Sequence, residues 1–414
     1  MSLKKSRHFT PYDVLINVLI CAVATAAAVL AVLRLQRSDF GEHFNFALNK
    51  AERGDGAFLN LFHDVFNLVN SFADRTVDTE LLALAAGVAG FFELLLAIGV
   101  LFTLSKWLSK DKPKLLYLLS AACVLLSSAP FFFYTGTFYT GIGGINTWHN
   151  PTSFAVKPFI ILSFFLIVTL FEYASSSDKG NRIVTGVDSR KLVRLFICLA
   201  ACLFFMTYGK ISGLAILAPA TMVFAVCWWA KSKFSISRFK FCLLIAAAFI
   251  PALVQFFKRY FVYFPAESES QTVFIGFDRL LSPEVGIILF RNAWILMLPI
   301  FIILIRRKQL VFKKGFFIAG MAYLAAFVQS YMFRELGPRQ GDGNESWGRH
   351  YAAMLLLLMC ATEVGRMWSE LKSSEARGKK DIAIFIVCIG LMLFYVVSGA
   401  IYLLTLLKIR TYYF

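Results

Sequence analysis

The stretch VLINVLICAVATAAAVLAVL, residues 14–33, contains no charged side chain and is long enough to cross about 30 Å of hydrocarbon as an α-helix. It follows the segment MSLKKSRHFTPYD, and no small-residue cleavage site comes soon after its apolar core. A cleaved signal peptide would need such a site. We therefore expect a retained signal anchor, so that the fold begins with a helix that spans a membrane.

Similar apolar runs recur along the whole chain. Of its 414 residues, 58% are hydrophobic and 16% are charged, and the mean hydropathy is +0.68, whereas a soluble domain carries about 25% charged residues. The runs predict an all-α polytopic transmembrane helical bundle that forms a single integral membrane domain over residues 1–414. Its eleven predicted spans are residues 14–33, 81–104, 115–134, 154–174, 191–208, 212–230, 240–263, 286–305, 315–333, 350–368 and 381–405.

The basic residues give the predicted bundle an orientation. The net charge is +17, but lysine and arginine concentrate in alternate connections, which is the positive-inside pattern and not the single basic face of a nucleic-acid-binding protein. We expect these connections and the N terminus on the cytoplasmic side of a bacterial inner membrane, and the C terminus on the extracytoplasmic side. The connections are KWLSKDKPK, SDKGNRIVTGVDSRK, KSKFSISRFK, RRKQLVFKK and SELKSSEARGKKD.

The first outward connection, residues 34–80, is the longest. In it, FGEHFNFALNKAERG and AFLNLFHDVFNLVNSFADR place aromatic and aliphatic residues at helical spacing. This spacing predicts two amphipathic helices that lie on the outer membrane surface. Four of the five histidines (His43, His63, His149 and His350) also map to the outward face, which indicates that this face carries the function.

The segment SDFGEHF, residues 38–44, carries the candidate catalytic group. Asp39, Glu42 and His43 are three and four residues apart, so a helix that begins near Ser38 places them on one face. A carboxylate there could act as general base toward an acceptor hydroxyl, and the three residues together could bind a divalent metal. The structural alternative is that Ser38 or Asp39 caps the helix and Glu42 completes a capping box.

The segment WHNPT, residues 148–152, is the second candidate. Asn150 before Pro151 predicts a helix start, because a proline at the first helical position loses no needed N–H. Trp148 suits the membrane interface, so capping and anchoring alone could explain much of the motif. The functional interpretation takes Trp148, His149 and Asn150 as a substrate-binding wall of an outward cavity, and it requires His149 to lie near Asp39.

Several cations near the outward face form a predicted donor-phosphate site. Lysine and arginine around a cavity would suit a phosphate or pyrophosphate, although each one alone could extend toward lipid headgroups. The residues are Lys157, Lys210, Arg291, Arg334, Arg339 and Arg349. The glycine-rich outward loop, residues 334–349, supplies two further substrate-binding candidates, Asn344 and Trp347, and His350 follows directly.

Several motifs are absent from the sequence. It contains no P-loop, Rossmann glycine fingerprint, HExxH or GxSxG motif, which argues against nucleotide-dependent chemistry on the cytoplasmic side. All eight cysteines fall in apolar runs, so we expect neither a disulfide framework nor a cysteine metal site. Acidic residues are few in the middle of the predicted spans, with Glu93 the clearest, which lowers the expectation of an ion-coupled transporter.

The chain resembles the GT-C class of polytopic glycosyltransferases, which take sugars from polyprenyl-phosphate carriers. The resemblance is architectural over most of the chain, and its local element is SDFGEHF just past the first span. The WWD-type signature of oligosaccharyltransferases is absent. The resemblance implies that Asp39, with Glu42 as the alternative, is the catalytic base or a metal ligand. It also implies transfer of a sugar from a polyprenyl-phosphate donor to a glycan or lipid acceptor at the extracytoplasmic face.

Two other functions stay open at this point. A protein of the O-antigen polymerase or ligase type uses the same kind of lipid-linked substrate, but it usually has its long loop late in the chain. A transporter or lipid flippase without covalent chemistry would tolerate Asp39→Asn and would depend on mid-membrane residues such as Glu93.

Overall fold

The structure is a helical bundle. The computed structural model of the chain describes residues 11–34, 39–53, 60–108, 113–127, 150–176, 189–259, 261, 271–276, 281, 285–310, 313–336, 346–373 and 378–409. The helices are α1 (Pro11–Arg34), α2 (Asp39–Arg53), α3 (Leu61–Ala73), α4 (Asp78–Trp107), α5 (Lys114–Leu125), α6 (Pro151–Ser176), α7 (Ser189–Gly209), α8 (Ile211–Ala230), α9 (Ile236–Ala248), α10 (Ile250–Lys258), α11 (Val285–Leu310), α12 (Lys314–Met332), α13 (Trp347–Ser373) and α14 (Lys379–Ile409).

The predicted fold class is confirmed. Within these described residues, nine helical segments are long and apolar enough to cross a membrane, so the protein is an all-α, multi-pass integral membrane protein. The predicted span 115–134 begins as α5, a shorter apolar helix, and continues into residues outside the described part. The predicted span 286–305 lies within α11. The described part of the predicted span 240–263 contains α9 and α10, which meet at Phe249, two residues before Pro251.

The end of α1 lies at the same end of the bundle as the starts of α4, α6, α8 and α13. Asp39, just past α1, contacts Asn150 at the start of α6, and Lys210 at the start of α8 acts on His43 and contacts Trp347 at the start of α13. We call this end the site end, and we call the opposite end, which carries Lys106, Lys231 and Lys314 at helix ends, the basic end.

Small residues let α1 and α4 approach each other closely. Ala24, Ala28 and Ala31 of α1 are buried, and a Cβ atom on Gly90 of α4 would lie 2.7 Å from Cγ2 of Val29. Lipid tails are as apolar as aliphatic side chains, so close van der Waals packing is a main force between such helices. This packing fixes the end of α1, and hence the start of α2, beside α4 and α6.

The central helix of the bundle is α13. Its side chains are buried on every face from Trp347 to Val364, and it contacts α4, α5, α6, α8, α11, α12 and α14. A helix buried all round occupies the interior of a bundle. Its polar residues Arg349 and His350 at the site end, and Glu363 toward the basic end, are therefore inside the protein and away from lipid.

The two helices predicted in the first connection are present as α2 and α3. They form a hairpin whose apolar side packs on the bundle: the Phe40 ring lies 5.8 Å from the Phe62 ring and 6.0 Å from the Phe154 ring of α6, between centroids. On α3, Phe72 is 84% exposed. The prediction placed these helices on the membrane surface, and the structure additionally uses their aromatic residues as part of the protein core.

A two-stranded ribbon at the site end was not predicted. Strand β1 (Gln271–Phe274) pairs antiparallel with β2 (Phe333–Leu336), and Val273 lies opposite Arg334. The ribbon joins the connection before α11 to the connection before α13. It therefore brings two segments that were both predicted to face outward to the same end of the protein.

A buried carboxylate holds three helices together near the basic end. Glu363 of α13 has no exposed surface. It forms ion pairs with Arg306 Nε at 3.0 Å, Lys313 Nζ at 2.7 Å and Arg366 Nη2 at 2.5 Å. The backbone of α11 leaves helical geometry at Arg306 (φ −119°, ψ 17°). Breaking a buried pair leaves an uncompensated charge, so the cluster fixes the positions of α11, α12 and α13 relative to one another.

Candidate functional site

The predicted catalytic residue Asp39 is held by the predicted substrate-binding residue Asn150. Asn150 Nδ2 donates a hydrogen bond of 2.8 Å to Asp39 Oδ2, and the two residues are 5% and 8% exposed. The Asn150 Oδ1 atom accepts hydrogen bonds from the Thr152 hydroxyl at 2.6 Å and from the Ser153 N–H at 3.0 Å. Capping the start of α6 therefore orients the amide, and its N–H group is directed at the carboxylate.

His43, one turn after Asp39 on α2, contacts a second histidine. His43 Nδ1 and His63 Nε2 are 2.7 Å apart, and His63 is 2% exposed. Asn60 caps α3 with its side chain, and the His63 ring completes the capping box at the backbone N–H of Asn60. His63 was predicted to lie on the outward face without a role, because the sequence signal of a capping box is a Glu or Gln at this position, and here a histidine takes its place.

The charge state of His43 is set by its surroundings. Burial lowers the pKa of His43 from its ordinary value to about 4; Asp39 opposes this effect and Lys210 adds to it. His43 is therefore neutral at pH 7. A neutral imidazole has one donor and one acceptor nitrogen, so its hydrogen-bonding role depends on which tautomer is present.

Lys210 joins this group from the short turn between α7 and α8. Its ammonium lies 3.6 Å from the centroid of the Trp347 ring, in a cation–π contact, and Trp347 in turn lies 5.5 Å from the His350 ring. Lys210, Trp347 and His350 were all predicted as site residues, and the structure brings them together at the start of α13. Lys210 also acts electrostatically on His43, as Asp39 does. Lys210, Trp347 and His350 therefore belong to the same polar site as Asp39.

A contact between α3 and α7 was not predicted. The Tyr208 hydroxyl donates a hydrogen bond to Asp64 Oδ2. Tyr208 is two residues before Lys210 along the chain. The hydrogen bond places the turn that carries Lys210 against α3. Nothing in the spacing of Tyr208 could have identified its partner, because the partner lies 144 positions away in the sequence.

Arg349 lies in a separate polar network between α11, α12 and α13. Its Nη1 atom donates a hydrogen bond to the Tyr331 hydroxyl, which also accepts from Asn292 Nδ2 at 2.9 Å, and Asn292 Oδ1 accepts from the Tyr323 hydroxyl at 2.7 Å. Arg349 is 5% exposed, and its Nε atom has no hydrogen-bond partner. No carboxylate in the described part of the chain forms an ion pair with this guanidinium. An anionic ligand would supply the missing counter-charge.

Lys157 is the most buried of the predicted phosphate ligands whose side chains the structure describes. It is 1% exposed on α6, and Glu93 of α4, which is 2% exposed, acts on it electrostatically. The sequence indicated that a lysine at this depth faces a cavity or a partner. The structure supplies a charged neighbour, Glu93, whose Oε2 atom has no hydrogen-bond partner among the residues that the structure describes.

Other predicted site residues are described only in part. Arg334 is an exposed residue of β2. Glu42 and Arg291 belong to α2 and α11, and their side chains lie outside the described residues, as do Trp148, His149, Arg339 and Asn344 entirely. The predicted proximity of His149 to Asp39 therefore stays a prediction, although the next residue, Asn150, contacts Asp39 directly.

A resident metal centre is not apparent among the described side chains. They contain no group of three or more His, Cys, Asp or Glu residues placed to hold a metal ion. A cavity of about 550 Å³ between α1, α5, α13 and α14 is lined by apolar side chains, including Leu19, Trp368 and Phe385. It includes none of the predicted site residues.

No family model matches the chain, and no curated protein is similar to it. The structure itself defines the class, an all-α integral membrane protein with a polar site built around Asp39. Any statement about function therefore depends on the side chains of that site.

Proposed function

We propose that the protein is a glycosyltransferase that moves a sugar from a polyprenyl-phosphate donor to a hydroxyl of a glycan or lipid acceptor. The observation that carries the proposal is the buried Asp39 carboxylate, held by Asn150 at 2.8 Å one turn away from His43. A buried carboxylate fixed by a capping amide is preorganised to accept a proton. It lies just after the first span, where the GT-C resemblance expects the catalytic base.

The proposed reaction is a displacement at the anomeric carbon of the donor sugar. The acceptor oxygen forms a bond to that carbon while its proton passes to Asp39, and the bond between the carbon and the phosphate oxygen breaks. The polyprenyl phosphate leaves with the bonding electron pair. The sequence predicted Asp39, Glu42 and His43 as the ligands of a divalent metal, and the reaction proposed here does not involve one.

Positive charge at the site end would stabilise the leaving phosphate. Arg349 is buried without a carboxylate partner in the described chain, and Lys210 lies within electrostatic range of His43. Guanidinium and ammonium groups in such surroundings are suited to phosphate oxygens. Arg291, Arg334 and Arg339 are the further predicted ligands. The buried Lys157 would act on the phosphate only indirectly, because Glu93 is its charged neighbour.

We further propose that the site end faces the extracytoplasmic side of a bacterial inner membrane. Lys106, Lys231 and Lys314 lie at helix ends on the opposite side of the bundle, and the positive-inside rule assigns the lysine-rich connections next to them in the sequence to the cytoplasm. In this orientation the N terminus is cytoplasmic and the C terminus is extracytoplasmic. A donor linked to a lipid phosphate would reach the site from the outer leaflet, without a nucleotide-binding motif.

The experiment that tests this function compares Asp39→Asn with Asp74→Asn in cells. Both changes remove one carboxylate from the same connection, but Asp74 is an exposed residue at the end of α3. Surface glycans and polyprenyl-linked sugars are measured by mass spectrometry at matched protein levels. We expect Asp39→Asn to abolish one glycan decoration and to accumulate its polyprenyl-phosphate donor, whereas Asp74→Asn changes neither. Unchanged glycans and lipids in Asp39→Asn cells would contradict the proposal.

A second candidate, a transporter or flippase, is favoured by one observation, the Glu93 and Lys157 pair inside the membrane. Charged residues within spanning helices commonly mark transport pathways. If Glu93→Gln blocks the cellular function while Asp39→Asn leaves it intact, transport is the better explanation.

A further inference from the structure

We infer that His63 is a positioning residue that holds His43 as the Nε2–H tautomer, so that His43 donates a hydrogen bond to a substrate oxygen and the acceptor proton goes to Asp39. The assignment of the tautomer follows from contacts within the protein. The role toward substrate rests on the proposed function.

The first step is the orientation of the His63 ring. Its Nδ1 atom lies 3.4 Å from the backbone nitrogen of Asn60, in the capping box of α3. The separation is long for a hydrogen bond, but its direction is unambiguous because a backbone N–H can only donate. His63 Nδ1 is therefore the acceptor nitrogen, and in the neutral ring the proton is on Nε2.

The second step carries the assignment from one ring to the other. His63 Nε2 lies 2.7 Å from His43 Nδ1. Since His63 donates through Nε2–H, His43 must accept through Nδ1, and the proton of the neutral His43 ring is on Nε2. Both contacts are then satisfied at once, and this holds only when both rings are neutral.

Protonation of His43 would break this arrangement. An Nδ1–H group on His43 would face the Nε2–H group of His63 at hydrogen-bond distance, with two donors and no acceptor between them. Relieving the conflict by moving the His63 proton to Nδ1 would instead place that proton against the Asn60 N–H and disrupt the capping box. The helix cap and the ring contact therefore select the same state of His43.

The charged groups around His43 are compatible with the neutral state. Asp39 acts on it from the same helix and Lys210 from the turn between α7 and α8, with opposite signs, while His63 contacts it from α3. The neutral state itself follows from the two contacts of His63, because a proton added to either ring would place two donors against each other.

The consequence for the proposed reaction is a division of roles. His43 Nδ1 is occupied by His63, and His43 Nε2 carries a proton, so neither nitrogen can take a proton from the acceptor hydroxyl. His43 can only donate, which suits an oxygen of the leaving phosphate, where negative charge develops. No proton is transferred to or from His43 in the step, and Asp39 receives the acceptor proton.

The test compares His63→Gln with His63→Glu. Glutamine and glutamate have the same length, and both are preferred at this position of a capping box, so α3 keeps its cap in either variant. The glutamine amide can still donate to His43 Nδ1. The glutamate carboxylate can only accept, so it would force His43 to carry a proton on Nδ1.

The direct measurement is nitrogen-15 NMR of the full-length protein in detergent micelles, with labelled histidine. The chain has five histidines, and the signals of His43 are identified by their loss in His43→Gln. We expect an unprotonated Nδ1 and a protonated Nε2 on His43 in the wild-type protein and in His63→Gln, and a protonated Nδ1 in His63→Glu. A protonated Nδ1 on His43 in the wild-type protein at pH 7 would overturn the inference, even if both variants failed to fold.

Glycan transfer measured in the same variants separates this inference from the proposed function. We expect His63→Gln to retain activity with the wild-type pH profile, and His63→Glu to acquire a new ionisation near neutral pH, because a carboxylate beside His43 raises its pKa. If the NMR tautomer is as expected but Asp39→Asn leaves both the surface glycans and the polyprenyl-linked sugars unchanged, the proposed function is wrong while the tautomer assignment stands. Equal pH profiles in active His63→Gln and His63→Glu proteins would contradict the role of His43 toward substrate.

Discussion

Removing one partner of the Glu93 and Lys157 pair should destabilise the protein strongly, and removing both should not. Lys157 is 1% exposed and Glu93 is 2% exposed, and they lie on two different spanning helices, α6 and α4. A buried charge that loses its partner costs about 3–5 kcal/mol, whereas replacement of the whole pair by neutral side chains of similar volume is close to neutral. Each 1.4 kcal/mol corresponds to a factor of ten, so a single change should shift the unfolding equilibrium by roughly two to three orders of magnitude.

The experiment measures the free energy of unfolding in detergent micelles for Glu93→Gln, Lys157→Met and the double variant. We expect the two single variants to lose about 3 kcal/mol or more, and the double variant to recover most of that loss, which is the mark of an energetic coupling between two residues that interact electrostatically. The control is Glu80→Gln, on the same helix as Glu93. Glu80 pairs with Arg75 at 3.3 Å, but both side chains are about half exposed (46% and 52%). Such surface pairs contribute about 0–1 kcal/mol.

Two results would refute this reasoning. Losses that simply add in the double variant would mean that Glu93 and Lys157 do not stabilise each other. A loss as small in Glu93→Gln as in Glu80→Gln would mean that Glu93 is neutral or hydrated inside the bundle, and the pair could not then be described as buried and charged.

Two further predictions concern helix packing and pH. Gly399→Ala should destabilise α14, because the added Cβ would collide with the backbone carbonyl of Leu126. The control is Gly390→Ala in the same helix, where the added Cβ meets open space and the change should be neutral or stabilising by about 0.5–1 kcal/mol. Thermal unfolding of the two variants in micelles checks this prediction, and equal stabilities would contradict it. Since burial holds the pKa of His43 at about 4, below its ordinary value, the unfolded chain binds a proton first as pH falls. The stability that comes from neutral His43 is therefore complete above about pH 6.5 and is lost as pH falls toward 4. The midpoint of unfolding in His43→Gln should lack this part of the pH dependence, and an identical pH dependence in both proteins would show that His43 titrates normally.

Most of the predicted spans and the start of α6 follow from local properties of the sequence. The lengths of apolar runs and the positions of charges can be read directly along the sequence. An apolar run long enough to cross a membrane folds as a helix there, because its backbone groups must be hydrogen-bonded within the segment. Caps are local for the same reason: Asn150 before Pro151 predicted the start of α6, and its side chain does cap that helix. The aromatic spacing of α2 and α3 predicted both helices, because helical periodicity is also a local property.

The contacts between polar groups come from the packing of the helices. Asn150 contacts Asp39 across 111 positions of sequence, and His43 of α2 contacts His63 of α3 across 20 positions. Lys157 was predicted to meet a cavity or a partner, but the rotation and depth of α6 against α4 selected Glu93. Such contacts depend on how each helix is rotated about its axis and where it crosses its neighbours. Packing of small residues such as Gly90 and the burial of α13 set those angles, and neither can be read from the spacing of the residues that finally touch.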